Sequence, residues 1–331
     1  MDTKKNNTTI VDIAKRANVT NITVSRAFNK PELVKPDTRE RILSIAREMN
    51  YSPNAFAKNL KGQSSNIIGM VTDSTFNPVY AEVTKAVCRA ADAKGYTVMI
   101  FDTGGSVEAE SRAVSALFSY KAAGIILSVV HDNTNYNPYY IEQAKAYRIP
   151  LVLLDRDIPN QTLPGVFLNN IELGVKAGKY LVSQADNEIL IVGGPKDSEI
   201  TQDRVAGILG AMHDTDTRIS VIYTDYKYEN ALPMITQALS SGLYNPQRIV
   251  GVNGLITLAA VQATRDAKLK LPQFFSIDEV PHAKTFGMAI PCIANDPSAW
   301  GKSVSELLFE LIHTGEQPAN SRIFINGELI A

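Results

Sequence analysis

The sequence predicts an α/β protein in two parts: a three-helix helix-turn-helix domain with a short hinge helix behind it, then a two-lobed, doubly wound parallel body. Three observations carry this. The first sixty residues repeat apolar positions at helical spacing between good caps. From Asn66 onward, short apolar runs alternate with amphipathic stretches, as repeated βαβ units require. That alternation runs twice, one series ending near Leu154 and a second opening near Glu188.

The first helix should start at Thr9, whose hydroxyl can cap it while Asp12, three residues on, answers from the other side. Ile10, Ile13, Ala14 and Ala17 then share one face. Asn18 tolerates left-handed backbone and suits a helix end. Only Val19 separates it from Thr20, a second cap. Val24, Ala27 and Phe28 give the second helix its apolar face, and Asn29 can close it. The third helix opens at Pro36 and turns Ile42, Ile45, Ala46 and Met49 inward.

Charge supports separate roles for the two parts. Residues 1–62 hold twelve lysines and arginines against six acids, a balance of +6, although the 331-residue chain totals −1. A basic head on an acidic body points to a polyanion that meets the head alone. In a helix-turn-helix the second helix enters the major groove, with its early residues on the base edges. Arg26 can pair with guanine, Asn21 with adenine or a phosphate, and Ile22 can touch a thymine methyl, with Ser25 nearby. Thr20, Thr23 and Asn29 suit phosphate contacts that set the register. The segment from Ser52 to Gly62 has a helix start at Ser-Pro and a stop at glycine. It is too short to fold unaided. Against its two-fold mate and a minor groove, Asn54 would lie in its first turn, Ala57 would allow close approach and Leu60 could wedge between base steps. A plain linker helix is the alternative.

In the body, the strands expected are Ile67–Val71, Thr97–Phe101, Gly124–Val129 and Pro150–Leu154. A second series comprises Glu188–Val192, Ile219–Tyr223, Arg248–Gly251 and Phe274–Ile277, with Arg322–Ile325 as a last candidate. Ligands of such sheets bind beyond the carboxyl ends of the strands. There stand Asp73, Phe76, Asn77, Ser128, Asp155 and Arg156 in the first series, and Tyr226, Asn253 and Asp278 in the second, with Arg204 on the helix that carries Val205, Ala206 and Gly207. Carboxylates, amides, a guanidinium fork and aromatic faces suit a polyhydroxyl ligand. Asp155-Arg156 could equally be a structural ion pair, and Tyr226 a cover for the cleft rim. The run from Gly193 to Ser198 lacks the spacing of a nucleotide phosphate loop and serves as a strand-to-helix turn, though it could cradle a sugar phosphate.

The four histidines, His131, His213, His282 and His313, are scattered, and Cys88 and Cys292 lack metal spacing. No metal, cofactor or catalytic set is therefore expected, and the chain should not be an enzyme. No apolar stretch follows Lys4 and Lys5, and no run approaches the ~18 apolar residues of a membrane helix, so a cytoplasmic protein with reduced thiols is expected.

The blocks VDIAKRA, TVSRAFN, TRERI and NYSPN, spread over residues 9–62, resemble the DNA-binding head and hinge of the LacI/GalR family of bacterial repressors. The resemblance implies a homodimer on a pseudo-palindromic operator, a hinge helix that folds on DNA, and Leu60 prying open the central base step. It also implies a periplasmic-binding-protein-like (type I) sensor body. There Arg204, Asn253 and Asp278 would hold hydroxyls of a sugar or sugar phosphate, while Phe76 and Tyr226 stack on it. The boundaries expected are 1–51 for the head, 52–62 for the hinge and 63–331 for effector binding and dimerisation. The N-lobe takes 63–167 and 296–320, the C-lobe 168–295 and 321–331. Two local departures stand out: the turn reads Ala17-Asn18-Val19-Thr20 where A-G-V-S is usual, and Lys35 replaces the usual serine cap. Asp155-Arg156-Asp157 is similar to the run in fructose- and sucrose-responsive members. A sugar-binding protein or an activator without repressor role remains the alternative.

Overall fold

The computed structural model describes residues 8–52 and 65–331, which fall into two units, a head and a body. The expected hinge helix, with Asn54, Ala57 and Leu60, lies outside the described residues.

The head contains α1 (Ile10–Ala17), α2 (Asn21–Asn29) and α3 (Pro36–Glu48). The capping box forms as read. Asp12 Oδ2 accepts from the Thr9 backbone N–H at 2.9 Å, and Thr9 Oγ1 accepts from the Asp12 N–H at 3.4 Å. Asn18 takes left-handed backbone at φ 51°, which lets the Val19 N–H reach back to the Ala14 carbonyl at 3.0 Å and close α1. Thr20 caps α2 through the Thr23 N–H at 3.2 Å. Lys35 supplies no side-chain cap to α3, where Pro36 removes one of the donors that would need it. Ile13, Ala14, Ala17, Val24, Ala27, Ile42 and Ala46 form the buried centre, and Ile45, Met49 and Phe28 pack around it half-buried.

The body holds two six-stranded sheets. The first contains β1 (Ile67–Thr72), β2 (Thr97–Asp102), β3 (Gly124–Leu127), β4 (Leu151–Leu154), β5 (Gly165–Leu168) and β11 (Arg322–Ile325), in the order β11-β5-β4-β3-β1-β2. All its pairings are parallel. The second contains β6 (Glu188–Gly193), β7 (Arg218–Tyr223), β8 (Arg248–Gly251), β9 (Gln273–Ile277), β10 (Cys292–Ala294) and β12 (Glu328–Ile330). It repeats the order as β12-β10-β9-β8-β6-β7, with only β12 antiparallel. The helices are α4 (Pro78–Asp92), α5 (Val107–Ser119) and α6 (Tyr140–Tyr147) on the first lobe, and α7 (Asn170–Gln184), α8 (Glu199–Ala211), α9 (Tyr228–Ser240) and α10 (Gly254–Asp266) on the second. Helix α11 (Pro297–Thr314) returns to the first lobe, where it packs on α4 and on β3 to β5. Among the described residues no helix is long and apolar enough to cross a membrane.

One expectation is corrected here. Arg322–Ile325 belongs to the first lobe, beside β5, and not with the second; only Glu328–Ile330 crosses back. The chain therefore passes between lobes three times, after β5, after β10 and after β11. Strands β5, β10 and β12 are not among those expected from the sequence.

Helices α7 and α8 meet backbone to backbone, and this positions one functional side chain. A Cβ at Gly174 would stand 2.3 Å from the Arg204 carbonyl oxygen, and one at Gly207 2.4 Å from the Ile171 carbonyl oxygen. Only glycine permits that approach, and it brings Arg204 over the carboxyl ends of the second sheet.

Candidate functional sites

In the head, the start of α2 is a polar face with an unexplained apolar residue. Ile22 is 64% exposed, with Asn21 and Arg26 exposed beside it and Ser25 half-buried. None of these is needed by the core below, which Val24 and Ala27 supply. The hydroxyls of Thr20 and Thr23 lie 3.0 Å apart within the cap, and the Asn29 amide donates to the Ser25 carbonyl at 3.0 Å. These three residues are thus partly engaged in shaping the helix that carries the others.

In the body, a cleft between the lobes holds about 610 Å³ of empty space, open solvent at its mouth included. Of the seven residues read as effector contacts, Asp155, Arg204, Tyr226, Asn253 and Asp278 line it, and Asp73, Asn77 and Arg156 join them. Two do not. Phe76 is 69% exposed on the loop before α4 and is not among the lining residues. Ser128 is fully buried behind the wall, where its hydroxyl meets the Tyr80 hydroxyl at 2.9 Å.

Asp155 and Asp278 end β4 and β9 in left-handed backbone, φ 68° and 70°, a conformation that aspartate and asparagine adopt more readily than most side chains. Tyr80 donates to Asp155 Oδ2 at 2.6 Å. Burial pushes the Asp155 carboxyl up to about 6, against the opposing pull of Arg156 and the Tyr80 hydrogen bond. In the second lobe Arg204 Nη1 donates to Asp278 Oδ2 at 3.1 Å and to the Val252 carbonyl at 2.6 Å, while its Nε donates to Asn170 Oδ1 at 2.9 Å. Asn295 donates to Asp278 Oδ1 at 2.9 Å.

Asp155 and Arg156 are not each other's ion pair. Arg156 pairs with Asp73 at 2.8 Å, donates to the carbonyls of Val129 and Val130, and sets its guanidinium 5.3 Å from the centre of the Tyr226 ring. Asp157 binds Arg322 instead, so only the first two residues of the Asp-Arg-Asp run line the cleft. Tyr226 is held by Ser198 and Thr201, at 2.7 and 2.6 Å. Asn253 spends its carbonyl oxygen on the Ile256 N–H, capping α10 at 2.7 Å. Tyr80, Leu168 and Trp300 also line the cleft and were not read from sequence. Trp300 lies on α11, 134 residues from Val166, whose carbonyl takes its indole N–H, and no local pattern announces that contact.

Head and body together define a DNA-binding transcription regulator with a small-molecule sensor. A model of the bacterial regulatory proteins of the lacI family matches residues 9–54, and one for the periplasmic binding proteins and sugar binding domain of the LacI family matches 65–327. The chain belongs to the LacI family. It is 27% identical over 320 residues to the HTH-type transcriptional repressor PurR of Pectobacterium carotovorum subsp. carotovorum (strain PC1), covering 94% of this chain and 92% of that one. The lac repressor dimer bound to operator and the anti-inducer ONPF shares the fold at a TM-score of 0.79 and 22% identity, over 98% of both chains. The Cra dual regulator from Pseudomonas putida, in complex with fructose 1-phosphate, does so at 0.73 and 13% identity, over 80% of this chain and 98% of that one.

Proposed function

We propose that this chain is a cytoplasmic homodimeric repressor whose affinity for a pseudo-palindromic operator is set by a sugar or sugar phosphate held between the lobes. The observation that carries the effector reading is the cleft lining. Carboxylates from both lobes stand beside guanidinium groups and tyrosine rings, a set suited to polyhydroxyl ligands. The contacts proposed are Asp155, Arg204, Tyr226, Asn253 and Asp278, with Arg156 added. Phe76 and Ser128 are withdrawn, since neither lines the cleft.

For DNA, Asn21, Ile22, Ser25 and Arg26 would face base edges, and Thr20, Thr23 and Asn29 the phosphates. Residues 52–62 would act as the hinge, with Asn54, Ala57 and Leu60 at the minor groove. The head would end near 51 and the body begin near 63. A fructose- or sucrose-responsive subtype keeps the support of Asp155 and Arg156 but loses that of Asp157.

A thermal-shift screen of the full chain against sugars and sugar phosphates tests the effector reading, because a ligand bound only by the folded body raises its apparent stability. A saturable rise abolished by Asp278→Asn would support it. No rise with any sugar would end it.

A further inference from the structure

We infer that Glu110, a buried carboxylate of α5 that does not line the cleft, is the positioning residue for the loop by which the first lobe grips the second. The inference concerns how the lobes are held, so it stands whatever small molecule fills the cleft.

Helix α5 buries Glu110, Ala113, Val114 and Leu117, the spacing of an apolar stripe, and Glu110 takes the first place in it. A carboxylate with no exposure is costly there unless its oxygens are filled. Three donors fill them, all from the stretch between β3 and the first turn of α6. The Val130 N–H donates to Oε2 at 2.6 Å, the Tyr140 hydroxyl donates to Oε1 at 2.6 Å, and the Tyr136 hydroxyl joins it on Oε1. Burial pushes the Glu110 carboxyl above its usual range, against the pull of these bonds.

The same stretch spans the cleft. The Val129 and Val130 carbonyls accept from Arg156 Nη1 at 3.0 and 3.1 Å, so Arg156 and Glu110 hold Val130 from its two sides. Two residues on, Asp132 reaches the opposite lobe. Its Oδ2 accepts from the Ile200 N–H at 3.1 Å and from the Ser198 hydroxyl at 2.9 Å. Ser198, at the N-cap of α8, makes no side-chain bond to that helix, and Asp132 supplies the cap instead. Asn133 adds a second bridge by donating to Asp197 at 3.2 Å. Its carbonyl accepts from the Tyr136 N–H at 3.0 Å, in a turn that sends Tyr136 back to Glu110.

This bridge forms against charge. Burial first, then repulsion from nearby carboxylates with Asp132 among them, raises Glu199 and Asp203 on α8 above the usual range. A loop left to itself would carry Asp132 away from these acids. Three bonds to Glu110 keep it in place, and the bridge biases the body toward lobes held together, the equilibrium on which an effector of the cleft must act.

Hydrogen exchange of the full chain reads the bridge at the Ile200 amide, in the lobe to which Glu110 does not belong. In Glu110→Leu that amide should exchange at least ten times faster than in the wild type. The Ile208 amide, deep in the same helix, should stay within twofold. Should Glu110→Leu fail to fold, Tyr136→Phe removes one hydroxyl from a half-buried ring and should speed Ile200 at least threefold, again sparing Ile208. Either change added to Asp132→Ala should alter Ile200 exchange by less than twofold, because the bond through which Glu110 acts is already gone. An Ile200 amide unchanged in the single variants, or speeded by the same factor as Ile208, would overturn the inference, as would full additivity with Asp132→Ala. None of these results bears on which molecule binds, so the sugar reading stands or falls separately.

Discussion

Asp155 and Asp278 are the same residue of a duplicated design. Each follows the matching strand of its sheet in left-handed backbone, φ 68° and 70°. Each donates its N–H to a carbonyl of the next strand, Val166 at 3.0 Å and Ile293 at 2.9 Å. Each carboxylate is held by the helix after the first strand of its lobe, through Tyr80 in one and Arg204 in the other. The partners differ in charge, and so do the consequences of changing them.

Replacing Asp278 by alanine would leave the Arg204 guanidinium buried without its carboxylate, at a cost of roughly 3–5 kcal/mol. Asp278→Asn retains an acceptor for Arg204 and tolerates the backbone. It should lose most of the effector affinity while folding normally. Calorimetry for the ligand and denaturant melts for stability separate the two variants.

Asp155 sits higher in the folded body, at about 6, than its ordinary 3.8, so the ligand-free fold binds this proton more tightly than the unfolded chain does. Its contribution favours folding below the ordinary value and is lost as pH rises through 6. Over that window the effect amounts to about 3 kcal/mol at most. Asp155→Asn should gain stability relative to the wild type between pH 4 and pH 7. Parallel denaturation curves across that range would count against the assignment.

Arg26→Ala should weaken specific DNA binding by about 1–3 kcal/mol and relax the choice of one base, with non-specific binding little changed. Anisotropy titrations against single-base variants of a selected operator check this. A uniform loss over all variants would reassign Arg26 to the phosphates.

Thr9→Ala removes half of the capping box and should cost the head about 1 kcal/mol. Hydrogen exchange at the Asp12 amide, faster in the variant, reports it directly.

Gly207→Ala would push a methyl group toward the Ile171 carbonyl oxygen, 2.4 Å from the new Cβ. A loss of about 1–3 kcal/mol from the body is expected, as for other overpacked contacts. Because Arg204 rides on the same helix, ligand affinity should fall with it.

What could be read in advance follows the range of the interactions. Thr9, Asp12, Asn18 and Thr20 act within one helical turn, and the structure places each in the role its chemistry suggested. Asn253 and Asp278 stand at strand ends, where an α/β body puts its ligands, and Arg204 reaches them from within α8. Tyr80, Asn170 and Asp132 were missed because their partners lie 75, 34 and 68 residues away. Arg322–Ile325 was given to the wrong lobe for the same reason, since edge pairing with β5 leaves no trace in a four-residue run. Phe76, an aromatic residue just before a helix, suits a sugar platform, and nothing local shows that it turns to solvent.

The central claim is that the cleft controls the head. Anisotropy of a labelled operator, selected from random DNA, should be followed with the full chain while a sugar shown to bind the cleft is titrated in. The account predicts that operator affinity changes at least fivefold at saturation, and that Asp278→Asn removes the change. Operator affinity identical with the cleft empty and saturated would contradict it.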